Sequence, residues 1–356
     1  MSLDDARRRI DDLDRQLVEL LVQRTECVHE IGGIKRRTGA EIYAPEREEM
    51  LLRGLVAQAG ERLPEQSLRA IYREIMSMSL ALEKPLTIAF LGPRGTWTHQ
   101  AARSKFGASL DYATQPSVGD VFDEVEKGRA HYGVVPVENS TEGAVNHTLD
   151  EFVDSPLQIC AQIPMRIAQN LISRAPLESI ERIYSHPQSF GQCRQWLRVN
   201  LPRAELIEVS SNARAVQLAA CEQASAAIAG ELAAEIHGLP VLEPAIQDDP
   251  RNLTRFLVIG SRSSPPTGND RTSIMFTVRD EAGALLRALE PFEHQGISLS
   301  KIESRPSKRQ VWEYIFFVDA SGHREDDALK AAISALSGHA TAIKILGSYP
   351  AQDTPQ

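Results

Sequence analysis

Cysteine is scarce: four in 356 residues, Cys27, Cys160, Cys193 and Cys221, with no close pair among them. That spacing disfavours a metal knuckle or a disulfide framework, so no metal is expected and a reducing cytoplasm is the expected compartment. Apolar runs long enough to span a bilayer are missing, and Met1 to Ile10 is polar and charged. Neither a membrane anchor nor a secretory leader is therefore expected. A positive balance is missing too. The formal net charge is -9, which disfavours nucleic acid as a partner and leaves anion binding to local basic groups. No GxGxxG or P-loop occurs, so no nucleotide cofactor is implied. What remains is globular composition, 42% hydrophobic and 24% charged, in a chain long enough for two or three domains.

Proline is absent from about Asp4 to Arg37. There Ile10, Leu13, Leu17, Leu20, Ile31 and Ile34 follow alternating spacings of three and four, the seam of a long packed helix of roughly 45–50 Å. Pro45 fits the first turn of a second helix, to about Ala59. A third starts near Pro64 and ends before Pro85. Helices of such unequal length bury their faces best against another chain, so a homodimer is expected. Arg24 interrupts the seam, and a guanidinium there is costly without an anion. Lys35 lies three turns on, along nearly the same face. Arg7, Arg47, Glu48, Ser79 and Glu83 add polar groups, and a solvated charged face is the plainer reading.

From Pro85 the pattern changes to strands alternating with helices, an α/β architecture of about 175 residues with room for two lobes around a cleft. Strands are expected at 86–91, 132–137, 158–163, 167–173, 182–184, 206–209, 225–229, 240–243 and 256–259, with helices after Gln100, Ala213 and Glu231. The stretch from Val134 to Gly143 is the most suggestive. It begins as a buried strand and breaks into Asn139, Ser140 and Thr141, which cap helices and leave backbone N–H groups free for an anion. An ordinary strand–turn–helix cap fits equally well. Gly92 to His99, Ser185 to Gln188 with Gln192 and Cys193, Ser210 to Ala213, and Asp248 to Phe256 are similar polar strand ends. Each alone reads as a turn or cap; together in one α/β domain they mark where ligands bind.

After a linker from Ser261 to Asp270, the order is strand 273–278, helix from Gly283 to about His294, strand 297–304, strand Trp312–Val318, helix 325–336 and strand 342–346. This β-α-β-β-α-β order is ferredoxin-like.

Three resemblances follow from these residues. Residues 1–84 resemble the all-helical chorismate mutase domain, through Arg7, Arg24, Lys35, Arg47, Glu48, Ser79 and Glu83. The resemblance implies a Claisen rearrangement of chorismate to prephenate, which needs positioning and charge stabilisation rather than a nucleophile. Arg24 and a second copy's Arg7 would clamp carboxylates. Lys35 and Glu83 would face the ether oxygen, Arg47 and Ser79 would help position the substrate, and Glu48 would meet its hydroxyl. Some relatives carry Gln at the place of Glu83, so this carboxyl must be protonated to assist; Ala44 stands where some carry a substrate-binding acid.

Residues 86–261 resemble the prephenate dehydratase family, through GPRGTWTHQAA, PVENSTEG, SHPQSFGQC, SNARAV and NLTRF in that order. The family implies a two-lobed fold like that of periplasmic binding proteins, with conversion of prephenate to phenylpyruvate in the cleft. Thr254 would be the proton donor or hydroxyl contact. Asn139, Ser140, Ser185, Gln192, Thr96 and Arg255 would bind substrate. Glu138 would tune Thr254 or be structural, His186 would shape its loop and Cys193 would pack.

Residues 271–350 resemble the ACT domain, an amino-acid-sensing module, through Gly283, Ala284, Leu285 and Leu286 and through Glu303, Ser304, Arg305 and Pro306. These resemble the elements with which dehydratases bind phenylalanine as an effector. The combined expectation is a cofactor-free bifunctional enzyme of phenylalanine biosynthesis. A non-catalytic solute-binding protein and a mutase fused to a dehydrogenase are the alternatives; the missing leader weighs against the first and the missing nucleotide fingerprint against the second.

Overall fold

The computed structural model describes residues 2–39, 42–141, 143–306 and 314–352. Helix α1 (Leu3–Thr38) runs the full proline-free stretch. A reciprocal Ser2–Asp5 capping box opens it, and Gly39, at φ 68°, closes it in a conformation that favours glycine. Helix α2 (Pro45–Ala59) carries its proline in the first turn, and α3 (Glu65–Glu83) stops before Pro85. The seam of α1 is largely bare: Ile10, Leu13, Leu17, Leu20, Ile31 and Ile34 are all exposed. Among the described residues, nothing within one chain covers it.

The chain then builds a first lobe from β1 (Thr87–Leu91), α4 (Trp97–Phe106), β2 (Asp111–Gln115), α5 (Val118–Glu126), β3 (Tyr132–Asn139), β4 (Gly143–Ala144), α6 (Asn146–Asp154) and β5 (Gln158–Arg166). It crosses to a second lobe of β6 (Asn170–Ile172), β7 (Arg182–Ser185), α7 (Pro187–Gln192), α8 (Arg194–Asn200), β8 (Glu205–Glu208), α9 (Asn212–Cys221), β9 (Ser225–Ala229), α10 (Glu231–His237) and β10 (Val241–Glu243). It returns as β11 (Leu253–Gly260). The first sheet has the order β2-β1-β3-β11-β5, with β4 on β3; the second has β10-β6-β9-β7-β8. Strand β11 thus re-enters the first sheet antiparallel between β3 and β5, and its register sets Thr254 opposite Asn139 and Arg255 opposite Glu138.

The C-terminal unit is β12 (Asp270–Thr277), α11 (Ala284–His294), β13 (Leu299–Pro306), β14 (Tyr314–Ser321), α12 (Asp327–Leu336) and β15 (Ala342–Pro350). Its antiparallel sheet has the order β13-β14-β12-β15. Trp312, the expected start of the third strand of this unit, lies outside the described residues, as does Glu142 in the stretch after β3. One face of this sheet packs on the two helices, through Phe276, Phe292, Val318 and Leu336. The other face joins the first lobe in one core, with Met275, Phe317 and Tyr349 against Leu149, Phe152 and Leu257.

The helical unit also shares a core with the first lobe. Tyr43 is buried, its ring 4.9 Å from Phe106 and 5.2 Å from Tyr132. Ser77 Oγ and a Glu74 carboxylate oxygen accept the N–H groups of Ser109 and Ala108, each at 3.0 Å. Among the described residues, no helix is long and apolar enough to cross a membrane.

Candidate functional site

A cleft of about 340 Å³ opens where the two lobes face each other, in the size range of small-molecule sites. Its floor is the end of β3 and the start of β11. Three helix starts border it, each capped by a side chain of its own loop: Thr96 Oγ1 accepts from His99 N–H, His186 Nδ1 from Gln188 N–H, and Ser211 Oγ from Arg214 N–H. Positive helix ends suit an anion. Among the described residues lining the cleft there is no Asp, Glu, Lys or Arg.

On the floor, Asn139 Nδ2 donates to Thr254 Oγ1 at 2.7 Å and to Asn252 Oδ1 at 2.9 Å. The amide orientation is set by the Thr141 N–H, which donates to Asn139 Oδ1 at 3.0 Å. Thr254 therefore receives a hydrogen bond on its oxygen, and no acceptor for its own hydroxyl proton is found among the described residues. A hydroxyl held this way, mostly buried and polarised by an amide, is set up to donate. Gln192 lines the opposite wall, its Oε1 accepting from Gln169 Nε2 at 2.9 Å.

The cleft contains residues that the sequence reading left out. Gln169 lines it while nearly fully buried, and its Oε1 has no partner among the described residues; the same holds for Nδ2 of buried Asn252. Asn212 holds the second lobe together by accepting from His186 N–H at 3.1 Å and Ser189 Oγ at 3.2 Å. Asn212 and Asn252 lie inside the SNARAV and NLTRF runs and were open to selection. Gln169 follows an apolar stretch that carries no such signal.

Three expected substrate contacts are placed elsewhere. Ser140 is exposed and off the cleft lining: its Oγ donates to Arg251 O at 3.2 Å and accepts from Leu253 N–H at 3.0 Å, bracing the entry to β11. Ser185 is fully buried behind the cleft and donates to Ile228 O at 3.0 Å. Arg255 points away from the cleft because neighbouring residues of a strand face opposite sides. Its guanidinium lies 2.8 Å from Glu138 and 2.6 Å from Asp319 of the C-terminal unit. Glu138 is thus part of a domain joint, on the side of the sheet away from Thr254. His99 accepts from Gly95 N–H at 3.1 Å and stacks on Phe90. Burial, aided by Arg94 and Arg103, pushes its pKa down to about 4, so it stays neutral and shapes the Gly-rich loop. Cys193 is buried, and burial pushes its thiol up to about 12, as packing requires. His186, expected to shape its loop, caps helix α7, and its ring also lines the cleft.

In the helical unit, two pairs come together between α1 and α3. Arg24 donates to Ser79 Oγ, and Lys35 Nζ lies 3.0 Å from Glu83 Oε2 while also donating to Ile42 O at 2.8 Å. Three residues stand apart from them. Arg47 is exposed. Glu48 is turned toward the first lobe, 2.9 Å from Lys105. Arg7 is exposed beside Asp4, about 25 Å along α1 from Arg24 at 1.5 Å per residue.

In the C-terminal unit, Gly283 has φ 78° and caps α11 without a side chain. Ala284 is buried, Leu285 half-buried and Leu286 exposed. On β13, Glu303 and Arg305 face inward while Ser304 and Pro306 face solvent. Arg305 reaches across to Asp150 on α6, donating at 3.1 and 3.2 Å. Among the described residues, no hydrogen bond or ion pair joins the two segments.

A helical unit with paired cations and acids, a two-lobed domain with a polar uncharged cleft, and a sheet-and-helix unit docked behind it define a multidomain enzyme. Family models match in the same order: chorismate mutase type II over residues 6–84, prephenate dehydratase over 88–264 and the ACT domain over 272–338. The chain is 46% identical over 354 residues to a bifunctional chorismate mutase/prephenate dehydratase of Aquifex aeolicus, covering 98% of each. It is 44% identical to that of Stutzerimonas stutzeri, covering 97% of this chain and 96% of the relative. Among solved structures, the prephenate dehydratase of Arthrobacter aurescens in complex with L-Phe matches with TM-score 0.70 and 34% identity, over 76% of this chain and 92% of that one. The chain belongs to the bifunctional chorismate mutase/prephenate dehydratase family.

Proposed function

We propose that the chain rearranges chorismate to prephenate between its N-terminal helices, converts prephenate to phenylpyruvate in the cleft, and is feedback-inhibited by L-phenylalanine through its ACT domain. The observation that carries the dehydratase reading is the polarised Thr254 hydroxyl, fed by Asn139 and with no acceptor for its proton among the described residues. In this reading Thr254 gives that proton to the departing ring hydroxyl. Asn139, Gln192, Thr96 and the helix starts orient the two carboxylates. The absence of a cation from the described lining has a use: a carboxylate leaving as CO₂ must shed its negative charge, and a salt bridge would hold it in place. Ser140 and Ser185 act by bracing Leu253 and Asn212. The two-lobed domain has the arrangement of periplasmic binding proteins, and the ACT unit, residues 271–350, is ferredoxin-like.

For the mutase, Arg24 holds a carboxylate beside Ser79, and Lys35 and Glu83 flank the ether oxygen. Arg47 and Glu48 contribute when substrate draws them in. Arg7 can serve only from a second copy, which supports a homodimer that covers the bare seam of α1. Light scattering on the full chain tests the dimer, and a monomer at assay concentration contradicts it. Gly283 to Leu286 and Glu303 to Pro306 receive phenylalanine, and the cytoplasm is the compartment. Phenylpyruvate formation from prephenate, with and without phenylalanine, tests the reading as a whole; a chain that binds prephenate without turnover is a solute-binding protein instead.

A further inference from the structure

Four charged side chains meet where the ACT sheet docks on the first lobe. Arg255 lies 2.8 Å from Glu138 and 2.6 Å from Asp319; Lys301 closes the group at 2.6 Å from Glu138. Asp319 also accepts from Ser273 Oγ at 2.5 Å, and Ser273 shares a hydrogen bond with the Tyr349 hydroxyl at 2.8 Å. The remaining guanidinium nitrogen of Arg255 reaches Gln162 Oε1 at 3.5 Å. Arg255, Asp319 and Lys301 are nearly buried. A small cavity of about 20 Å³ adjoins the group, lined by Arg255, Lys301 and Asp319 together with core residues such as Val137, Phe152 and Phe317.

The two members from the catalytic domain are placed tellingly. Glu138 directly precedes Asn139 on β3, and Arg255 directly follows Thr254 on β11. The register pairs Thr254 with Asn139 and Arg255 with Glu138, and it slips immediately after Arg255. The two rungs are therefore consecutive: one presents the catalytic pair to the cleft, and the next presents a charge pair to the ACT domain. Lys301 and Asp319 come from β13 and β14, and β13 also carries Arg305. Moving the ACT sheet must move either these charges or the strands they grip, because a buried charge cannot be left unpaired cheaply.

We propose that Lys301 and Asp319 are positioning residues of the dehydratase: acting through Glu138 and Arg255, they set the Asn139–Thr254 geometry, and this joint carries the phenylalanine signal to the cleft. The proposal rests on the reading of Thr254 as proton donor. The test uses the full-length chain with Lys301→Met, Lys301→Arg, Glu138→Gln and Thr254→Ala. Circular dichroism and mutase turnover on chorismate serve as internal controls. Lys301→Met lowers dehydratase kcat about 5-fold or more while KM stays within about 2-fold, the range of a loss of one kcal/mol or more in the transition state alone. It blunts inhibition by phenylalanine, leaves mutase turnover unchanged, and is rescued by Lys301→Arg. Glu138→Gln, nearly isosteric and the least buried member, reproduces the defect and carries the test if Lys301→Met does not fold. A folded Lys301→Met or Glu138→Gln with wild-type kcat and wild-type inhibition overturns the proposal. A parallel fall in mutase turnover does so too, since it marks a merely structural role. Thr254→Ala keeps the outcomes separate: full activity there overturns the donor reading, whereas inactive Thr254→Ala beside fully active joint variants overturns only the joint.

Discussion

Glu48 on the second mutase helix is held 2.9 Å from Lys105 on the first helix of the dehydratase lobe, with both side chains largely buried. A residue expected to meet chorismate is thus gripped by the other catalytic domain. Lys105→Met leaves that carboxylate unpaired at a buried joint, a change that costs on the order of 3 kcal/mol. The expected outcome is a lower unfolding midpoint together with a several-fold rise in mutase kcat/KM, since Glu48 no longer has to leave Lys105 to meet chorismate, and little change in dehydratase kcat. Thermal unfolding and two separate assays read it; unchanged mutase kinetics mean that Glu48 takes no part in that site.

Glu83 accepts a hydrogen bond from Lys35, a pairing suited to a carboxylate. Stabilising the ether oxygen requires a donor instead. Glu83→Gln, whose amide donates where a carboxylate only accepts, is therefore expected to raise mutase turnover about 3-fold or more. Unchanged or lower turnover in folded Glu83→Gln contradicts this role.

The joint behind the cleft predicts an acid sensitivity. Burial alone would raise the Asp319 carboxyl, but Arg255 and Ser273 outweigh it and hold it below its usual 3.8. Glu138 behaves likewise below 4.5, with burial outweighed by Arg255 and Lys301. A depressed folded pKa means that the unfolded chain binds the proton more readily. The stabilisation is then present above the unfolded values and is lost as pH falls through the folded ones. The unfolding midpoint should drop on acidification below about 4, and Glu138→Gln should drop less steeply; equal slopes for the two proteins count against the assignment.

Arg305 bridges β13 to Asp150 on α6. Arg305→Ala is expected to relax inhibition by phenylalanine without abolishing catalysis. If the bridge itself matters, Asp150→Asn reproduces the effect, although Asp150 lies outside the ACT domain. Inhibition curves separate this from a role confined to effector binding, in which Asp150→Asn responds as wild type does.

Much of this was legible in the residues. The proline-free α1, the Pro45 start of α2 and the short alanine-rich β9 follow directly from spacing and capping. Strands β2 and β4 and helices α5, α6, α7 and α8 were not foreseen. β2 reads Asp-Tyr-Ala-Thr-Gln, with no clean alternation, and becomes a strand because β1 offers it a parallel edge. The four helices are only six to nine residues long, too short for a periodic signal. In the site, Asn139, Thr254, Gln192 and Thr96 fall where the motif runs place them. Arg255 did not, and the period of two along a strand already sets it opposite Thr254. That it meets Asp319 depends on packing between domains, which a local sequence pattern does not encode.

Two sites in one chain imply that the two reactions can be separated by mutation. Chorismate given to wild type, Arg24→Ala and Thr254→Ala, with prephenate and phenylpyruvate quantified, tests it most directly. Wild type is expected to give phenylpyruvate, Arg24→Ala to leave chorismate unchanged, and Thr254→Ala to accumulate prephenate. Arg24→Ala is still expected to convert added prephenate at close to the wild-type rate. Undiminished phenylpyruvate from folded Thr254→Ala, or loss of both reactions in either folded variant, would contradict it.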